Sequence, residues 1–302
     1  MMLKACGYQG ATHVYFSWHL TDWCNYKCKY CPVLDVITND FTVDRHANEF
    51  RLVIARLKTV TQNFDICLSG GEPTLHPHLL EIVTELDKIE NCKTISIFTN
   101  LTRPSAYFRQ FSEIGSTKLA VLGSYHPAYY SDKFIQRSID LDNMPNINYR
   151  VHLNMVDDQE TWDTTEHMIN EFKNTSVNYK INVLQSNANW RANYSQEFYD
   201  RFLPYMDDKR KPDPSDDIMC QFEDGHVEYL KDYEIEVREL NRFKGYSCTP
   251  LYYNISITGE VTNMCTRRVV PLNLKNNLVK LESCPLDSCH SRQMLDFYKE
   301  RK

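Results

Sequence analysis

Three cysteines near the start of the chain, Cys24, Cys28 and Cys31, lie in the run Cys-Asn-Tyr-Lys-Cys-Lys-Tyr-Cys, directly after an apolar stretch. Their C-x3-C-x2-C spacing lets one short loop bring three thiolates to one point. Iron–sulfur cubes are usually held by four thiolates, so three at this spacing indicate a cluster with one iron left open for chemistry. A structural zinc site is the alternative, although such sites favour paired C-x2-C ligands with a distant second pair.

The run, with the aromatic Tyr30 before its last cysteine, resembles the signature of the radical S-adenosylmethionine (radical SAM) superfamily. The resemblance implies that Cys24, Cys28 and Cys31 are catalytic and hold a 4Fe-4S cluster, whose open iron binds S-adenosylmethionine. It also implies that an electron from the cluster cleaves this cofactor, and that a 5′-deoxyadenosyl radical then abstracts a hydrogen atom from a substrate. In such enzymes the protein supplies position and the exclusion of water.

A second motif is the pentapeptide Ser69-Gly70-Gly71-Glu72-Pro73, which follows an apolar run and therefore lies where a buried strand ends and the chain turns. Two glycines let the backbone approach a ligand closely, and a carboxylate suits an ammonium group. The pentapeptide resembles the GGE motif of the same family, which binds the amino group of S-adenosylmethionine. Such a turn is common by itself, but its place after the cysteine run strengthens the assignment.

The composition is that of a globular enzyme. The 302 residues, 42% hydrophobic and 25% charged, are enough to bury a large core. A net charge of −6 gives no strong signal for nucleic-acid binding. The first residues lack the apolar core of a signal peptide, and no stretch reaches the ~20 apolar residues of a membrane span. We expect a cytoplasmic protein without a membrane partner, in which cysteines serve metal ligation rather than disulfides.

Strand-like and helix-like segments alternate over the first two-thirds of the chain. The pattern predicts strands at 14–20, 64–68, 94–99, 119–123, 147–155 and 181–184. It predicts helices at 43–60, 78–89, from Pro104 onwards, 132–141, 161–172 and 196–205. Repeated strand–helix units imply a parallel sheet. The predicted fold is α/β, a partial (β/α)6 TIM barrel, which is also the fold that the family resemblance implies.

In α/β barrels the active site gathers at the carboxyl ends of the strands, and both motifs follow such ends. The same rule selects Asn100, Ser124 and Gln185 as candidate cofactor-binding residues. Ser124 resembles the position that contacts the ribose in the family.

One predicted strand, 147–155, carries a polar face made of Arg150, His152 and Asn154. Alternate side chains of a strand share a face, and in a barrel one face points inward. We therefore expect this set to line the substrate cavity or, through Arg150, to contact the carboxylate of S-adenosylmethionine. A solvent-facing edge is the alternative.

The character of the chain changes after residue 205. Segment 206–246 begins with a polar, proline-containing stretch and becomes acidic. This composition indicates a solvated connecting segment, and a surface that attracts a cationic substrate is the alternative. Alternation at 233–237 predicts an edge strand. We expect a radical SAM barrel over 1–205, this acidic connecting segment, and a small third region over 247–302.

The third region contains Cys248, Cys265, Cys284 and Cys289, and between the first two a hairpin is predicted with glycine at its turn. Four thiolates make a closed metal site. The arrangement resembles the Twitch region, a shortened SPASM domain, in which a β-hairpin plus helix holds an auxiliary 4Fe-4S cluster.

This third region departs from the family pattern because its last cysteine pair is C-x4-C instead of C-x2-C. Cys220 and His290 are therefore possible substitutes for the fourth ligand. Zinc is an alternative occupant, since four-cysteine zinc sites also close hairpins.

The resemblance implies a reaction class. Relatives with an auxiliary cluster oxidise alcohols or crosslink peptides, so we expect hydrogen abstraction followed by one-electron oxidation or bond formation. The expected partners are a small-molecule, nucleoside or peptide substrate and an external electron donor such as flavodoxin or ferredoxin. Two alternatives stay open: a non-catalytic iron–sulfur or zinc protein, and a radical SAM methyl- or methylthiotransferase.

Overall fold

The strands of the chain are divided between two sheets. A computed structural model describes residues 2–8, 13–31, 33–42, 46, 48–129, 131–184, 194–206, 217–271, 281–289, 294–295 and 297–301. Within this part of the chain, the strands are β1 (Leu3–Cys6), β2 (Val14–Thr21), β3 (Phe64–Gly70), β4 (Cys92–Thr99), β5 (Leu119–Tyr125), β6 (Asn148–Met155), β7 (Tyr179–Val183), β8 (Ile218–Phe222), β9 (Val227–Leu230), β10 (Ser247–Cys248), β11 (Tyr252–Ile255), β12 (Val261–Asn263) and β13 (Lys299–Glu300).

The helices of the described chain follow the strands in alternation. They are α1 (Phe50–Leu57), α2 (Leu79–Asp87), α3 (Ser105–Ser112), α4 (Asp132–Asp142), α5 (Gln159–Lys173), α6 (Gln196–Phe202) and α7 (Asp232–Val237). None of these described helices combines the length and the hydropathy that crossing a bilayer requires.

The larger sheet has the strand order β12-β11-β2-β3-β4-β5-β6-β7. Strands β2 to β7 are parallel and adjacent in chain order, and each confirms a strand predicted from the sequence. The α/β class with a parallel sheet is therefore confirmed. Closure of this sheet into a partial barrel stays a prediction.

Helix periodicity explains how the core is formed. Helix α1 buries Phe50, Val53, Ile54 and Leu57, a spacing that places four apolar side chains on one face. The predicted start of this helix, residue 43, is wrong, because His46 forms an isolated β-bridge with Thr21 and the helix begins only after it.

The edge strand predicted at 233–237 is also wrong, since these residues belong to α7. The Glu234 side chain accepts a hydrogen bond from the Lys231 backbone N–H at 2.7 Å, and Asp232 adds a second acid to the first turn. Acidic side chains at a helix start satisfy free N–H groups and interact favourably with the helix dipole. Only Ile235 of the apparent alternation is buried, so local capping outweighs the strand pattern.

The predicted hairpin is present as β11 and β12, with the turn glycine Gly259 at a φ of +77°. Strand β11 also pairs in parallel with β2, so the hairpin extends the larger sheet at the β2 edge. The smaller sheet, of order β10-β13-β1-β8-β9, joins both ends of the chain to the acidic segment. Segment 206–246 therefore contributes two strands and is more than a connector, whereas the three-region division itself stays a prediction.

Replacement of a buried aromatic on β11 tests whether the hairpin stabilises the sheet. Tyr253 is fully buried, and its ring centroid lies 5.9 Å from that of Phe16 on β2. Tyr253→Ala should lower the free energy of unfolding by about 3–5 kcal/mol, the usual cost of removing a large buried ring. Denaturant unfolding followed by circular dichroism measures this. Tyr229→Ala, at a residue 62% exposed, is the control and should change it by less than about 0.5 kcal/mol. An equally small decrease in the free energy of unfolding for Tyr253→Ala and Tyr229→Ala would contradict the prediction.

Candidate functional site

A cavity of about 380 Å³ lies at the carboxyl ends of the parallel strands. Five consecutive strands contribute polar side chains to it. These are Ser69 from β3, Thr99 from β4, Ser124 from β5, Asn154 from β6 and Asn182 from β7. The carboxyl ends of parallel strands meet at one edge of a sheet, so segments distant in sequence reach the same space.

The three N-terminal cysteines line this cavity. They lie on the loop after β2, which is closed where the Cys24 N–H donates to the Thr38 carbonyl at 3.0 Å and the Thr38 N–H donates to the Asp22 carbonyl at 2.9 Å. Cys24 and Cys28 are buried and Cys31 is half-buried. The loop therefore presents three thiols to one space.

Burial raises the pKa of Cys24 to about 12 and that of Cys28 to about 11, and it also raises the pKa of Cys31. The free thiols are therefore protonated at neutral pH, and a bound metal would have to displace their protons. Among the described residues, no three His, Cys, Asp or Glu side chains are gathered as for a single metal ion. An iron–sulfur cube is wider, because each cysteine binds a different iron atom.

His126, just beyond the end of β5, joins the cysteine loop to the strand end. Its Nδ1 lies 2.9 Å from the Tyr30 hydroxyl and 3.5 Å from the Cys28 Sγ, and the Tyr30 and His126 rings are stacked. Burial lowers the pKa of His126 to about 4, so the imidazole is neutral at physiological pH. The strand-end rule pointed to the segment that contains both Ser124 and His126, but only Ser124 was predicted to bind the cofactor and His126 was given no role.

Two stacked tyrosines fix the cysteine loop against the segment after β5. The Tyr26 and Tyr129 rings lie 3.9 Å apart with an interplanar angle of 5°. The Tyr129 hydroxyl accepts a hydrogen bond from the Lys27 backbone N–H at 2.7 Å. The loop that carries the cysteines is therefore anchored by contacts that the spacing of the cysteines does not reveal.

The two glycines of the second motif allow a close approach of two backbones. The Gly71 N–H donates to the Thr21 carbonyl at 2.6 Å, and the Glu72 N–H donates to the Trp23 carbonyl at 2.7 Å. A Cβ at Gly71 would lie 2.2 Å from the Trp23 oxygen, and Gly70 has a φ of +126°. The glycines are thus required by the chain itself, and not only by a ligand as the sequence suggested.

The Glu72 carboxylate is buried and held by four donors. Its Oε1 accepts from the Thr74 N–H, the Thr74 hydroxyl and the Thr99 hydroxyl, at 3.1, 2.6 and 2.7 Å, and its Oε2 accepts from the Asn100 N–H at 2.7 Å. Burial raises the pKa of Glu72 despite these hydrogen bonds. The Asn100 side-chain amide donates to Asn25 at 2.8 Å, which links the end of β4 to the cysteine loop.

Strands β6 and β7 form a polar wall of the cavity, which we define as His152, Asn154 and Asn182. The Asn182 amide donates to the Asn154 carbonyl oxygen at 2.7 Å. The His152 Nε2 is buried without a hydrogen-bond partner in the described part of the chain, and burial holds its pKa well below the usual value. Arg150 lies two residues earlier on the same strand and is not among the described lining residues.

Most of the predicted cofactor-binding residues line this cavity. Those that do are Tyr30, Ser69, Gly70, Gly71, Glu72, Asn100 and Ser124. Gln185 lies outside the described residues, as does His290. Their predicted roles are unaffected.

The four C-terminal cysteines, Cys248, Cys265, Cys284 and Cys289, are all buried. Hydrogen bonds of the backbone hold Cys284 and Cys289 in place. The Cys284 N–H donates to the Tyr246 carbonyl at 2.7 Å. The Cys289 N–H donates to the Asn241 backbone carbonyl, and the Cys289 carbonyl accepts a hydrogen bond from the Asn241 side-chain amide.

These four thiols are close enough to interact electrostatically. Burial is the larger reason that the pKa of Cys289 rises to about 12, and negative charge on Cys248, Cys265 and Cys284 raises it further. Cys220, a possible substitute ligand, lies instead opposite Cys6, with 3.9 Å between the two Sγ atoms.

Residues 18–123 match the family model described as the Radical SAM superfamily. Molybdenum cofactor biosynthesis protein 1 of Bos taurus is 31% identical over 129 residues, which cover 42% of this chain and 20% of that protein. GTP 3′,8-cyclase of Haemophilus ducreyi is 27% identical over 115 residues, 36% of this chain and 32% of that protein. The matches thus span only a fifth to a third of these curated relatives.

Two solved structures have a similar fold. The structure of anSMEcpe with bound AdoMet superposes with a TM-score of 0.53 at 14% identity, over 88% of this chain and 79% of that chain. Streptococcus suis SuiB bound to S-adenosylmethionine gives 0.54 at 10% identity, over 88% and 64%. At such identities the likeness concerns the fold alone. The family match over residues 18–123 supports the superfamily that the cysteine run predicts.

Replacement of Gly71 tests the close approach of the two backbones. Gly71→Ala should destabilise the protein by about 1–3 kcal/mol and reduce iron binding by the cysteine loop, because the new Cβ would meet the Trp23 carbonyl oxygen. Thermal unfolding and iron content after reconstitution measure these effects. Gly225→Ala, in the turn between β8 and β9, is the control: its φ is +87° but no atom lies within 4 Å, so strain should appear without loss of iron. Full iron loading of Gly71→Ala would refute the interpretation.

Proposed function

We propose that this chain is a radical SAM enzyme that reductively cleaves S-adenosylmethionine and abstracts a hydrogen atom from a substrate in the cavity. The observation that carries the proposal is that the cysteine loop and the buried carboxylate of Glu72 line the same cavity. The family match over residues 18–123 supports it independently. The volume of the cavity, about 380 Å³, is within the range of small-ligand sites.

The residues at the cavity fit the two cofactors. Cys24, Cys28 and Cys31 would hold a 4Fe-4S cluster as its three protein ligands. When bound, the cluster supplies the electron that cleaves the sulfonium, and S-adenosylmethionine supplies the radical that removes hydrogen. The protein's own task is to hold the reactants, orient them and exclude water.

Glu72 is the proposed ligand of the cofactor's ammonium group. Its carboxylate is fixed by Thr74, Thr99 and Asn100, so little side-chain entropy remains to be lost on binding. A buried carboxylate also attracts an ammonium group more strongly than an exposed one.

The polar wall of His152, Asn154 and Asn182 is the proposed substrate side of the cavity. These side chains offer neutral donors and acceptors, and no Lys or Arg is present among the described lining residues. The wall therefore favours an uncharged polar group, as in a small molecule, the base or sugar of a nucleoside, or a peptide backbone. A triphosphate, which the name GTP 3′,8-cyclase suggests for that relative, would meet no cation among the lining residues that the structure describes.

The four C-terminal cysteines are proposed to hold an auxiliary 4Fe-4S cluster that accepts an electron after hydrogen abstraction. Tyr252 supports this role because it lines the cavity and also packs against the buried group of Cys248, Leu251 and Phe297. Tyr252 thus has contacts on both sides, with the cavity and with the buried group that contains Cys248, which favours electron transfer between the two proposed sites. The electron for cofactor cleavage would come from an external carrier such as flavodoxin or ferredoxin.

Removal of one cysteine tests the proposal. Anaerobically reconstituted and reduced protein should release 5′-deoxyadenosine from S-adenosylmethionine, measured by mass spectrometry, and Cys28→Ala should abolish this release because the cluster loses a ligand. Cys92→Ala is the control, since Cys92 is buried at the start of β4, away from both sites. Cys265→Ala should still cleave the cofactor but form no final product. Equal release from Cys28→Ala and unchanged protein would contradict the proposal.

The charge of Glu72 gives a second test through pH. Glu72→Gln should weaken binding of S-adenosylmethionine about 10–100-fold, because a charge-assisted hydrogen bond is lost. In the unchanged protein, affinity should fall as the pH falls through the raised pKa of Glu72, since protonation removes the charge that the ammonium needs.

Equilibrium binding measured at several pH values compares the two proteins. The Glu72→Gln variant should lose this part of the pH dependence. Glu260→Gln, at an exposed position on the hairpin, is the control and should leave both affinity and pH profile unchanged. An identical pH profile in Glu72→Gln and unchanged protein would remove Glu72 from the proposed site.

A further inference from the structure

A row of four side chains crosses the smaller sheet. Cys248 on β10 is opposite Lys299 on β13, Lys299 is opposite Cys6 on β1, and Cys6 is opposite Cys220 on β8. Residues directly opposite in antiparallel strands project from the same face, with Cβ atoms about 4.5–5.5 Å apart. Lys299 therefore lies between two cysteines, one of which belongs to the C-terminal set.

Lys299 is buried, with an exposed fraction of 1%. Its ammonium donates hydrogen bonds to the backbone carbonyls of Met294 and Phe297, the latter at 2.7 Å, and it lies 5.0 Å from the centre of the Phe243 ring. Carbonyls and an aromatic face are neutral partners. No carboxylate of the described residues forms an ion pair with it.

A buried ammonium without an opposite charge is costly, by several kcal/mol even after relaxation. Among the described residues, the thiols of Cys6 and Cys248 lie on either side of Lys299 in the sheet. Its positive charge acts to lower the pKa of Cys248, Cys265 and Cys289, against the larger upward effect of burial. Lys299 is thus electrostatically coupled to three of the four C-terminal cysteines.

We propose that Lys299 is the buried counter-charge of the C-terminal four-cysteine site and raises the reduction potential of the cluster bound there. The inference rests on the auxiliary cluster of the proposed function. A 4Fe-4S cluster with four thiolates is a dianion when oxidised and a trianion after it gains one electron. A fixed positive charge in a low-dielectric interior therefore stabilises the reduced form more than the oxidised form.

A higher reduction potential would make the C-terminal cluster a better acceptor of an electron from the substrate. A substrate that has lost a hydrogen atom becomes a product with a new double bond by giving one electron to the oxidised cluster and one proton to a base or to water. A higher cluster potential favours this transfer. Lys299 is in this sense a positioning charge, since it contacts neither the substrate nor the reacting atoms.

The test is a reduction potential, which a purely structural lysine would not set. The C-terminal cluster is observed by itself in full-length protein in which Cys24, Cys28 and Cys31 are replaced by Ala. Its midpoint is measured by electron paramagnetic resonance during a redox titration with dithionite and mediators. Lys299→Met should lower the midpoint by about 59 mV or more, which is a tenfold change in the one-electron equilibrium.

Two variants serve as controls. Lys299→Arg keeps the charge and should keep the midpoint near that of the unchanged lysine. Lys244→Met removes a lysine of the same region whose side chain is 68% exposed and paired with Asp287, so solvent and salt should screen its effect. If Lys299→Met does not fold, Lys299→Gln replaces it, because its amide can still donate to the backbone carbonyls.

The outcomes separate this inference from the proposed function. A fully loaded cluster with an unchanged midpoint in the neutral variant would overturn the role of Lys299 alone. A C-terminal site that binds zinc and gives no cluster signal would overturn the auxiliary cluster and this inference with it. A lowered midpoint in the neutral variant, with Lys299→Arg and Lys244→Met unchanged, supports the proposal.

Discussion

The backbone pairing between Gly71-Glu72 and the chain after β2 is the constraint on which the candidate site depends. Two hydrogen bonds, from the Gly71 N–H to Thr21 and from the Glu72 N–H to Trp23, continue the β2–β3 ladder beyond both strand ends. They bring the buried carboxylate to the start of the cysteine loop that follows β2. The approach leaves no room for a Cβ at Gly71, so the glycine follows from main-chain packing as much as from ligand binding.

Around this pairing, short polar contacts turn the strand ends into one cavity. The Asn100 amide and the His126 ring connect the ends of β4 and β5 to the cysteine loop, and Asn154 and Asn182 close the opposite wall. The walls differ in chemistry. One side presents thiols and a carboxylate, which suit a cluster and an ammonium, whereas the other presents neutral amides and a neutral imidazole. This asymmetry is the physical basis for assigning one side to the cofactors and the other to the substrate.

The C-terminal region is joined to the rest of the chain by sheet contacts of two kinds. Strand β11 extends the larger sheet beside β2, while β10 and β13 pair with each other and, through β13, with β1. Tyr252 thereby lies between the cavity and the second cysteine set. Lys299, on the smaller sheet, lies opposite Cys248 of this set.

The sequence by itself determined the parallel strands, because apolar periodicity is local. Its two motifs, through their resemblance to the radical SAM signature and their places after strand ends, predicted that Glu72 meets the cysteines. The edge strand predicted at 233–237 is wrong, because capping by Glu234 favours a helix there despite the alternating pattern. Only the tertiary structure decided the place of His126 against Cys28, the union of the hairpin with β2, and the position of Lys299 between Cys6 and Cys248. These depend on which distant segments pair and in what register, and register is set by packing of the whole sheet rather than by neighbouring residues.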